Sequence, residues 1–280
     1  MPAGRGRGHH GPVRITAWWG GLSPRRRLML SSVAVAVVAV VVATVIATSG
    51  AKAAPEAGTP DQNKPGPVLL VPGYGGGRGA LETLAERIRQ ATGRSAEVLT
   101  LAGDGTGDLA EQAGVLAEAV EKAYEQGAPS VDVVGYSAGG VVARLWVGRE
   151  SGAHQARRVV TLGAPMHGTG LATAGGALVP GGCPTACVQL APGSSLLQEL
   201  AKQPVPPGLP WLSLWTDRDE TVTPPDSARL DGAVNVSLQQ VCPGNAAGHG
   251  DLPTDPAVTD IVLQALGTTP LEAPTDCLSS

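Results

Sequence analysis

The chain has 280 residues, of which 42% are hydrophobic and 3% aromatic, and it contains no Phe, so its core must be built mainly from Val, Leu and Ala. The formal net charge of −4 is unevenly distributed, because residues 1–50 contain six Arg and no acidic residue. The rest of the chain therefore carries a net charge of −10. Such an acidic body argues against nucleic-acid binding, which requires Lys and Arg to neutralise phosphates.

The N-terminal region predicts export of the protein. Residues 1–27 form a basic leader that ends in three Arg, and residues 28–51 form an uncharged stretch of 24 residues dominated by Val and Ala. This stretch is long enough to cross a bilayer, and its positive flank places the N-terminus in the cytoplasm. Ala51-Lys52-Ala53 also fits a signal-cleavage site. We expect a membrane anchor, which the length favours, or a cleaved signal, followed by a linker over residues 52–66.

Strand-like and helix-like segments alternate from residue 67 onward, so residues 67–280 are expected to form one domain. The predicted strands are 68–71, 96–101, 131–136, 158–162, 211–215 and 234–238. The predicted helices are 81–91, 108–125, a helix that starts after Ser137, and 256–266. This alternation predicts an α/β fold with a mostly parallel sheet and helices on both faces. Ligands of such sheets bind beyond the C-terminal ends of the strands.

A nucleophile elbow is the strongest functional motif. Gly135-Tyr136-Ser137-Ala138-Gly139 follows the apolar run Val131–Val134 and precedes an amphipathic helix, which is the strand–turn–helix context that a G-x-S-x-G motif requires. Side chains at the two glycine positions are expected to collide with neighbouring strands. The turn would expose the Ser137 hydroxyl above the sheet, with the amides at the start of the helix directed at the bound group.

A serine hydroxyl attacks a carbonyl only when a base removes its proton. In folds with this elbow, the partners follow in the order Ser, Asp or Glu, then His. His154, His167 and His249 follow Ser137 in the chain, and only His249 leaves room for a late acidic residue before it. We therefore predict that His249 is the base, and that His167 shapes or packs the site.

The acidic partner should follow the strand 211–215, where both Asp217 and Asp219 occur. Asp219 is favoured, because Val222 nearby can fix the loop against the core and orient the carboxylate. Asp217 remains the alternative, although its position suits a turn residue bonded to its own backbone.

Two backbone N–H groups are needed to stabilise the oxyanion of a tetrahedral intermediate. Ala138, directly after the nucleophile, is one predicted donor, and Tyr74, in the glycine-rich loop after the first strand, is the other. This loop lacks the G-K-[ST] and G-x-G-x-x-G patterns of nucleotide sites. The sequence predicts neither a cofactor nor a metal.

Four cysteines in an exported chain predict disulfides. Three pairings can be drawn, and we favour Cys183 with Cys187 and Cys242 with Cys277, because the first pair is local within a Gly/Pro-rich insertion. Zinc binding is the alternative, but the histidines lack suitable spacing.

Together these motifs resemble the α/β-hydrolase family, in particular the small bacterial class 2 lipases and esterases. The resemblance covers residues 67–266 and rests on six segments, which are Val71–Gly76, Gly135–Gly139, Leu162–Thr169, Cys187–Ser194, Arg229–Val236 and Gly248–Gly250. It implies the α/β-hydrolase fold, with Ser137 as nucleophile, Asp219 as acid, His249 as base, and Tyr74 and Ala138 as oxyanion donors. One departure is that Pro72-Gly73 replaces the family's usual His-Gly.

The insertion over residues 168–190 is short and rich in Gly, Ala and Pro, so only a small cap is expected, without a sizeable amphipathic lid. The predicted activity is hydrolysis of carboxylic esters, with an ester or lipid as substrate. Two alternatives remain, namely acyl transfer or thioester cleavage in the cell envelope by the same three residues, and a catalytically silent binding module of the same fold.

Overall fold

The computed structural model describes residues 23–48, 59–149, 152–178 and 182–277. It divides the chain into two compact units, Met1–Ala57 and Gly58–Ser280. In the first unit the described element is helix α1, Pro24–Thr48. Over the described residues, no helix meets the length and apolarity that a membrane crossing requires. Most of the predicted leader, and the C-terminal end of the predicted segment 28–51, lie outside the described residues.

The second unit is built on a six-stranded sheet in which every neighbouring pair of strands is parallel. The strands are β1 (Val68–Val71), β2 (Ala96–Val98), β3 (Val131–Tyr136), β4 (Ala156–Leu162), β5 (Trp211–Trp215) and β6 (Val234–Ser237). Their order in the sheet is β2-β1-β3-β4-β5-β6. The chain changes direction across the sheet between β1 and β3, and such a switch point leaves a crevice at the carboxyl ends of the strands.

Helices connect the strands and cover the sheet. They are α2 (Gly79–Thr92), α3 (Leu109–Glu125), α4 (Ala138–Arg149), α5 (Gly152–Gln155), α6 (Gly170–Leu178), α7 (Thr185–Gln189), α8 (Ser195–Ala201), α9 (Leu238–Val241) and α10 (Pro256–Ala265). Two short 3₁₀ turns, Pro225–Ala228 and His249–Asp251, complete the unit.

Alternate side chains of β1, β3, β4 and β5 enter two different aliphatic cores, one on each face of the sheet. In β1, Leu69 and Val71 belong to the first core, whereas Val68 and Leu70 belong to the second. Side chains alternate between the two faces of a strand, and a parallel sheet covered by helices on both faces is apolar on both. This is why β1 is an unbroken aliphatic run rather than an alternating pattern.

The predicted elements agree with the structure except at some ends and in the insertion. β2 ends at Val98 instead of residue 101, β4 begins earlier, at Ala156, and Leu238 starts α9 instead of ending β6. Within the insertion 168–190, α6 and α7 form where no helix was predicted. Their Gly- and Ala-rich sequences have no marked apolar face, so the insertion gives no helical periodicity to detect.

Candidate active site

The turn between β3 and α4 holds Ser137 in an unusual backbone conformation. Its φ is 53°, and it is the one non-glycine residue with a positive φ among the residues that the structure describes. Non-glycine residues rarely adopt this region, and such strain concentrates at functional sites. The Ser137 N–H donates to the carbonyl oxygen of Leu162 at 2.8 Å, which ties the turn to the end of β4.

The two glycines of the motif are required by close backbone contacts. A Cβ on Gly135 would lie 2.6 Å from the carbonyl oxygen of Gly139, at the start of α4, and a Cβ on Gly139 would overlap the carbonyl oxygens of Val71 and Pro72. The expected collision with a neighbouring strand therefore applies to Gly139, which faces the end of β1. For Gly135 the collision is with the helix that follows the turn.

Ser137, His249 and Asp219 form a continuous hydrogen-bonded chain. The Ser137 hydroxyl lies 3.0 Å from His249 Nε2, and His249 Nδ1 lies 2.7 Å from Asp219 Oδ2. The histidine and the aspartate are both buried. A carboxylate at this distance from Nδ1 favours the tautomer with the proton on Nδ1, which leaves Nε2 free to accept the serine proton.

Asp219 is oriented by its own loop. Its Oδ1 accepts hydrogen bonds from the backbone N–H groups of Thr221, at 2.9 Å, and Val222, at 2.6 Å. Val222 is buried, so the apolar side chain that the sequence singled out does hold this loop against the core. The second carboxylate oxygen is thereby directed at His249.

Asp217 has different partners. Its carboxylate accepts from the indole N–H of Trp215 at 3.1 Å and from the Ser237 hydroxyl at 2.7 Å. It therefore links the ends of β5 and β6, and it is not bonded to its own backbone as the sequence suggested.

His167, the other histidine considered, is exposed and contacts the carbonyl oxygen of Ser227 at 3.1 Å.

Two residues that the sequence analysis did not assign also contact His249. The Tyr136 hydroxyl donates to the His249 carbonyl oxygen at 3.2 Å, and the two ring centroids are 5.2 Å apart. Gly163, with φ 55°, lies beside the imidazole, since a Cβ there would be 3.0 Å from His249 Nδ1. The sequence features that could have pointed to these two residues are the position of Tyr136 within the G-x-S-x-G motif and the position of Gly163 directly after β4.

Burial raises the pKa of Tyr136 to about 12, and the negative charges of Asp219 and Asp251 act in the same direction. Each of these effects disfavours a phenolate. The Tyr136 hydroxyl therefore remains a donor to His249 over the whole neutral and mildly alkaline range.

The loop after β1 lies directly against the serine. A Cβ on Gly73 would be 3.0 Å from Ser137 Cβ and 3.6 Å from Ser137 Oγ. The Gly75 N–H donates to Gly105 at 3.3 Å, which braces the loop from outside. Among the described residues, the backbone N–H groups of Tyr74 and Ala138 have no hydrogen-bond partner. Both predicted oxyanion donors thus lie on segments that adjoin Ser137.

The insertion forms a small cap with a disulfide. Cys183 is bonded to Cys187, and Cys242 is bonded to Cys277, which is the pairing that the sequence favoured. The cap is fixed to the N-terminal end of α3 by the Gln189 side chain. This side chain accepts a hydrogen bond from the Leu109 N–H and donates one to the Asp108 carboxylate, each at 2.8 Å.

Comparison with known proteins supports this architecture. Residues 63–177 match the model of the PGAP1-like alpha/beta domain family. No curated protein matches the chain in sequence.

Two lipases and a phospholipase are among the solved structures that the chain resembles. Lipase B from Aspergillus fumigatus is 20% identical, with a TM-score of 0.63 over 79% of this chain and 56% of that one. The mature lipase BlEst2 from Bacillus licheniformis is 20% identical, with a TM-score of 0.60 over 74% of this chain and 94% of that one. The phospholipase PlaB from Legionella pneumophila is 12% identical, with a TM-score of 0.55 over 72% and 58%.

The chain spans little more than half of the Aspergillus lipase that it matches. At 12–20% identity, these likenesses concern the fold. The resemblance to lipases and esterases inferred from the motifs is therefore confirmed at the level of the fold, and the chain is an α/β-hydrolase-fold protein.

Proposed function

We propose that the protein is a serine hydrolase that cleaves carboxylic esters through an acyl-serine intermediate. The observation that carries the proposal is the hydrogen-bonded chain from Ser137 through His249 to Asp219 at the carboxyl edge of the sheet. Such a chain supplies a nucleophile, its base and the group that orients the base.

In the acylation step, Ser137 Oγ attacks the ester carbonyl carbon while His249 Nε2 takes the hydroxyl proton. The negative charge that develops on the carbonyl oxygen is stabilised by the N–H groups of Tyr74 and Ala138. His249 then gives its proton to the leaving alcohol oxygen, the carbon–oxygen bond breaks, and the acyl group remains on Ser137.

In the deacylation step, His249 removes a proton from water, and the hydroxide attacks the acyl-serine carbonyl. Collapse of the second tetrahedral intermediate returns the proton from His249 to Ser137 Oγ and releases the carboxylic acid. Asp219 does not take a proton in either step. It accepts a hydrogen bond from the Nδ1–H group of His249, and its charge stabilises the imidazolium.

The test uses the full-length protein in detergent with a fluorophosphonate probe and a series of p-nitrophenyl esters of increasing acyl length. Labelling at Ser137 with turnover of the esters is the expected result, and Ser137→Ala is the matched control that should abolish both. Absence of labelling in the folded wild type would support the silent binding module instead. Labelling with acyl transfer to an added alcohol in preference to water would indicate an acyltransferase.

We further propose that the body of the protein acts outside the cytoplasm. Two disulfides in the unit Gly58–Ser280 support this, because such bonds persist in oxidising compartments. The test combines protease treatment of intact cells with N-terminal sequencing. An intact N-terminus on externally cleaved, membrane-bound protein would favour the anchor over residues 28–51, whereas a mature N-terminus near Ala54 would favour a cleaved signal. Complete protection from protease would contradict export.

A further inference from the structure

Two loops bring the acid and the base of the candidate active site together. The acid loop, residues 216–222, follows β5 and carries Asp219, and the base loop, residues 242–248, leads from α9 to His249. The two catalytic residues are 30 positions apart in the chain, with β6 and α9 between them. The 2.7 Å contact between His249 Nδ1 and the Asp219 carboxylate therefore depends on how the two loops are held against each other.

The side chain of Thr216 joins the two loops. Thr216 is fully buried, and its hydroxyl donates to the carbonyl oxygen of Ala247 at 2.7 Å, two residues before His249. On the acid side, the Thr216 carbonyl oxygen accepts the N–H of Asp219 at 3.2 Å, and the hydroxyl accepts the N–H of Arg218, also at 3.2 Å. One residue thus bonds the backbone of the acid itself and the backbone just before the base.

A second side chain, that of Gln239 in α9, bridges the same loops. Its Oε1 accepts the Asp217 N–H at 2.8 Å, and its Nε2 donates to the Asn245 carbonyl oxygen at 3.2 Å. Because a backbone N–H only donates and a carbonyl oxygen only accepts, these partners allow a single orientation of the amide. Nε2 also donates to the Thr216 hydroxyl at 2.9 Å, which has a lone pair for it because its own proton goes to Ala247.

These two side chains do not bond the reacting groups. In the described part of the chain, no hydrogen bond joins either side chain to Ser137 or to the imidazole of His249. Their bonds end instead on backbone atoms within two residues of Asp219 and of His249. Loss of these bonds would leave the reacting groups in place but would let the two loops shift against each other. A displacement of about 1 Å in a catalytic group lowers the rate about a hundredfold.

We propose that Thr216 and Gln239 are positioning residues that set the distance and angle between Asp219 and His249. They act through the backbone of the acid loop and the base loop and supply no group to the chemical step. Loss of either side chain therefore slows that step and leaves substrate binding unchanged. The inference rests on the proposed ester hydrolysis, in which His249 is the base and Asp219 orients it.

The first measurement compares full-length wild type, Thr216→Val and Gln239→Met on a p-nitrophenyl ester. Thr216→Val keeps the shape of the side chain but removes the hydroxyl, and Gln239→Met keeps the length but removes the amide. Each should lower kcat by about 10- to 100-fold and keep KM within about twofold of wild type, because the base is displaced while substrate contacts remain. Thr216→Ser keeps the hydroxyl and should restore kcat to within about threefold of wild type. Unchanged kcat in both variants would overturn the proposal.

Two control substitutions remove similar groups outside this network. Gln240→Met lies on the same helix as the glutamine variant, and Gln240 is exposed and forms no side-chain hydrogen bond with a described residue. Thr259→Val removes a buried hydroxyl of α10 whose partners, Arg87 and Asp255, lie outside both loops. Both controls should leave kcat unchanged, and thermal denaturation verifies that every variant is folded at the assay temperature.

A double-mutant cycle separates positioning from general support of the fold. Asp219→Asn already disrupts the contact that the two side chains align. Adding Thr216→Val or Gln239→Met to it should therefore lower the rate of fluorophosphonate labelling less than about twofold further, although each lowers that rate in the wild-type background as it lowers kcat. Equal losses in both backgrounds would overturn the proposal, because the side chains would then act independently of the acid.

The cycle does not depend on a single variant. If Thr216→Val does not fold, Gln239→Met gives the same comparison from a half-buried position. A wild type that neither hydrolyses the ester nor reacts with the probe would contradict ester hydrolysis itself. An active wild type with unaffected variants would contradict the positioning role alone, so the two failures are distinguishable.

Discussion

At the scale of single residues, two aspartates two positions apart have separate tasks. Asp219 bonds His249, whereas Asp217 bonds Trp215 and Ser237. We expect Asp219→Asn to lower kcat on a p-nitrophenyl ester by about 10⁴-fold, because an amide no longer holds the required imidazole tautomer. Asp217→Asn keeps the shape of the strand connection and is expected to stay within a few-fold of wild type. If steady-state kinetics gave the reverse ranking, the acid role would pass to Asp217.

Tyr136 makes a second contact with the base His249, and the hydrogen bond of this contact can be removed without loss of packing. Tyr136→Phe keeps the ring beside His249 but removes the hydrogen bond to the His249 carbonyl oxygen. We expect kcat to fall about three- to tenfold with KM unchanged, because the base is less well positioned while substrate contacts remain. A rise in KM at constant kcat would show instead that Tyr136 contacts substrate.

The same residue gives a pH-dependent difference in stability. The unfolded chain loses the Tyr136 proton near its usual pKa of about 10, whereas the folded protein holds it until the raised pKa of about 12. Between these values the unfolded state binds fewer protons, so stability falls as pH rises. Urea titrations at pH 8 and pH 11 should show a larger loss of unfolding free energy in wild type than in Tyr136→Phe. Equal losses would contradict the raised pKa.

At the scale of elements, the bend after β4 determines where the imidazole lies. Gly163 has φ 55°, and a side chain there would lie 3.0 Å from His249 Nδ1 and 2.8 Å from Leu252. We expect Gly163→Ala to lower kcat about a hundredfold, since displacement of a catalytic group by about 1 Å has effects of this size. Gly114→Ala is the control, because nothing lies within 4 Å of a Cβ at this position in α3. It should leave kcat unchanged and raise stability by up to about 1 kcal/mol.

The elements show what a sequence can predict and what it cannot. β1, β3 and β5 agree with prediction because each is mostly aliphatic or aromatic and has clear ends. Ser137, Asp219 and His249 could be selected because chain order restricts the choice. The contact of Tyr136 with the His249 carbonyl could not, because it joins residues 113 positions apart. It depends on how the loop after β6 folds over the sheet, which no local pattern specifies.

At the scale of the whole molecule, buried charged groups connect the amino-terminal ends of the central strands to the last helix. Asp132, near the start of β3, is fully buried and pairs with Arg94 and Arg157. The same arginines bond the carbonyl oxygen of Leu266, and Arg158 bonds that of Ala265 at 2.7 Å, so cations cover the C-terminal end of α10. Positive charge at a helix C-terminus is stabilising, and here it connects the last helix to the central strands.

Asp132 is the residue through which that network can be tested. Asp132→Asn keeps the shape of the side chain but leaves the buried Arg157 and the partly buried Arg94 without their counter-charge. Burial already lowers the pKa of Arg94, and Asp132 is the group that opposes this effect. We expect the unfolding free energy to fall by about 3–5 kcal/mol, which is typical when one partner of a buried ion pair is removed.

Activity of the folded fraction should survive that substitution. Asp132 precedes Ser137 by five residues on an extended strand, a separation of about 16 Å. Denaturant titration measures the stability loss, and active-site titration with the fluorophosphonate probe normalises kcat to folded enzyme. Glu97→Gln, an exposed carboxylate on β2, is the matched control and should change stability by less than about 0.5 kcal/mol. A loss of kcat per labelled site in Asp132→Asn would show that the two ends of β3 are coupled and would contradict the expected separation of stability from catalysis.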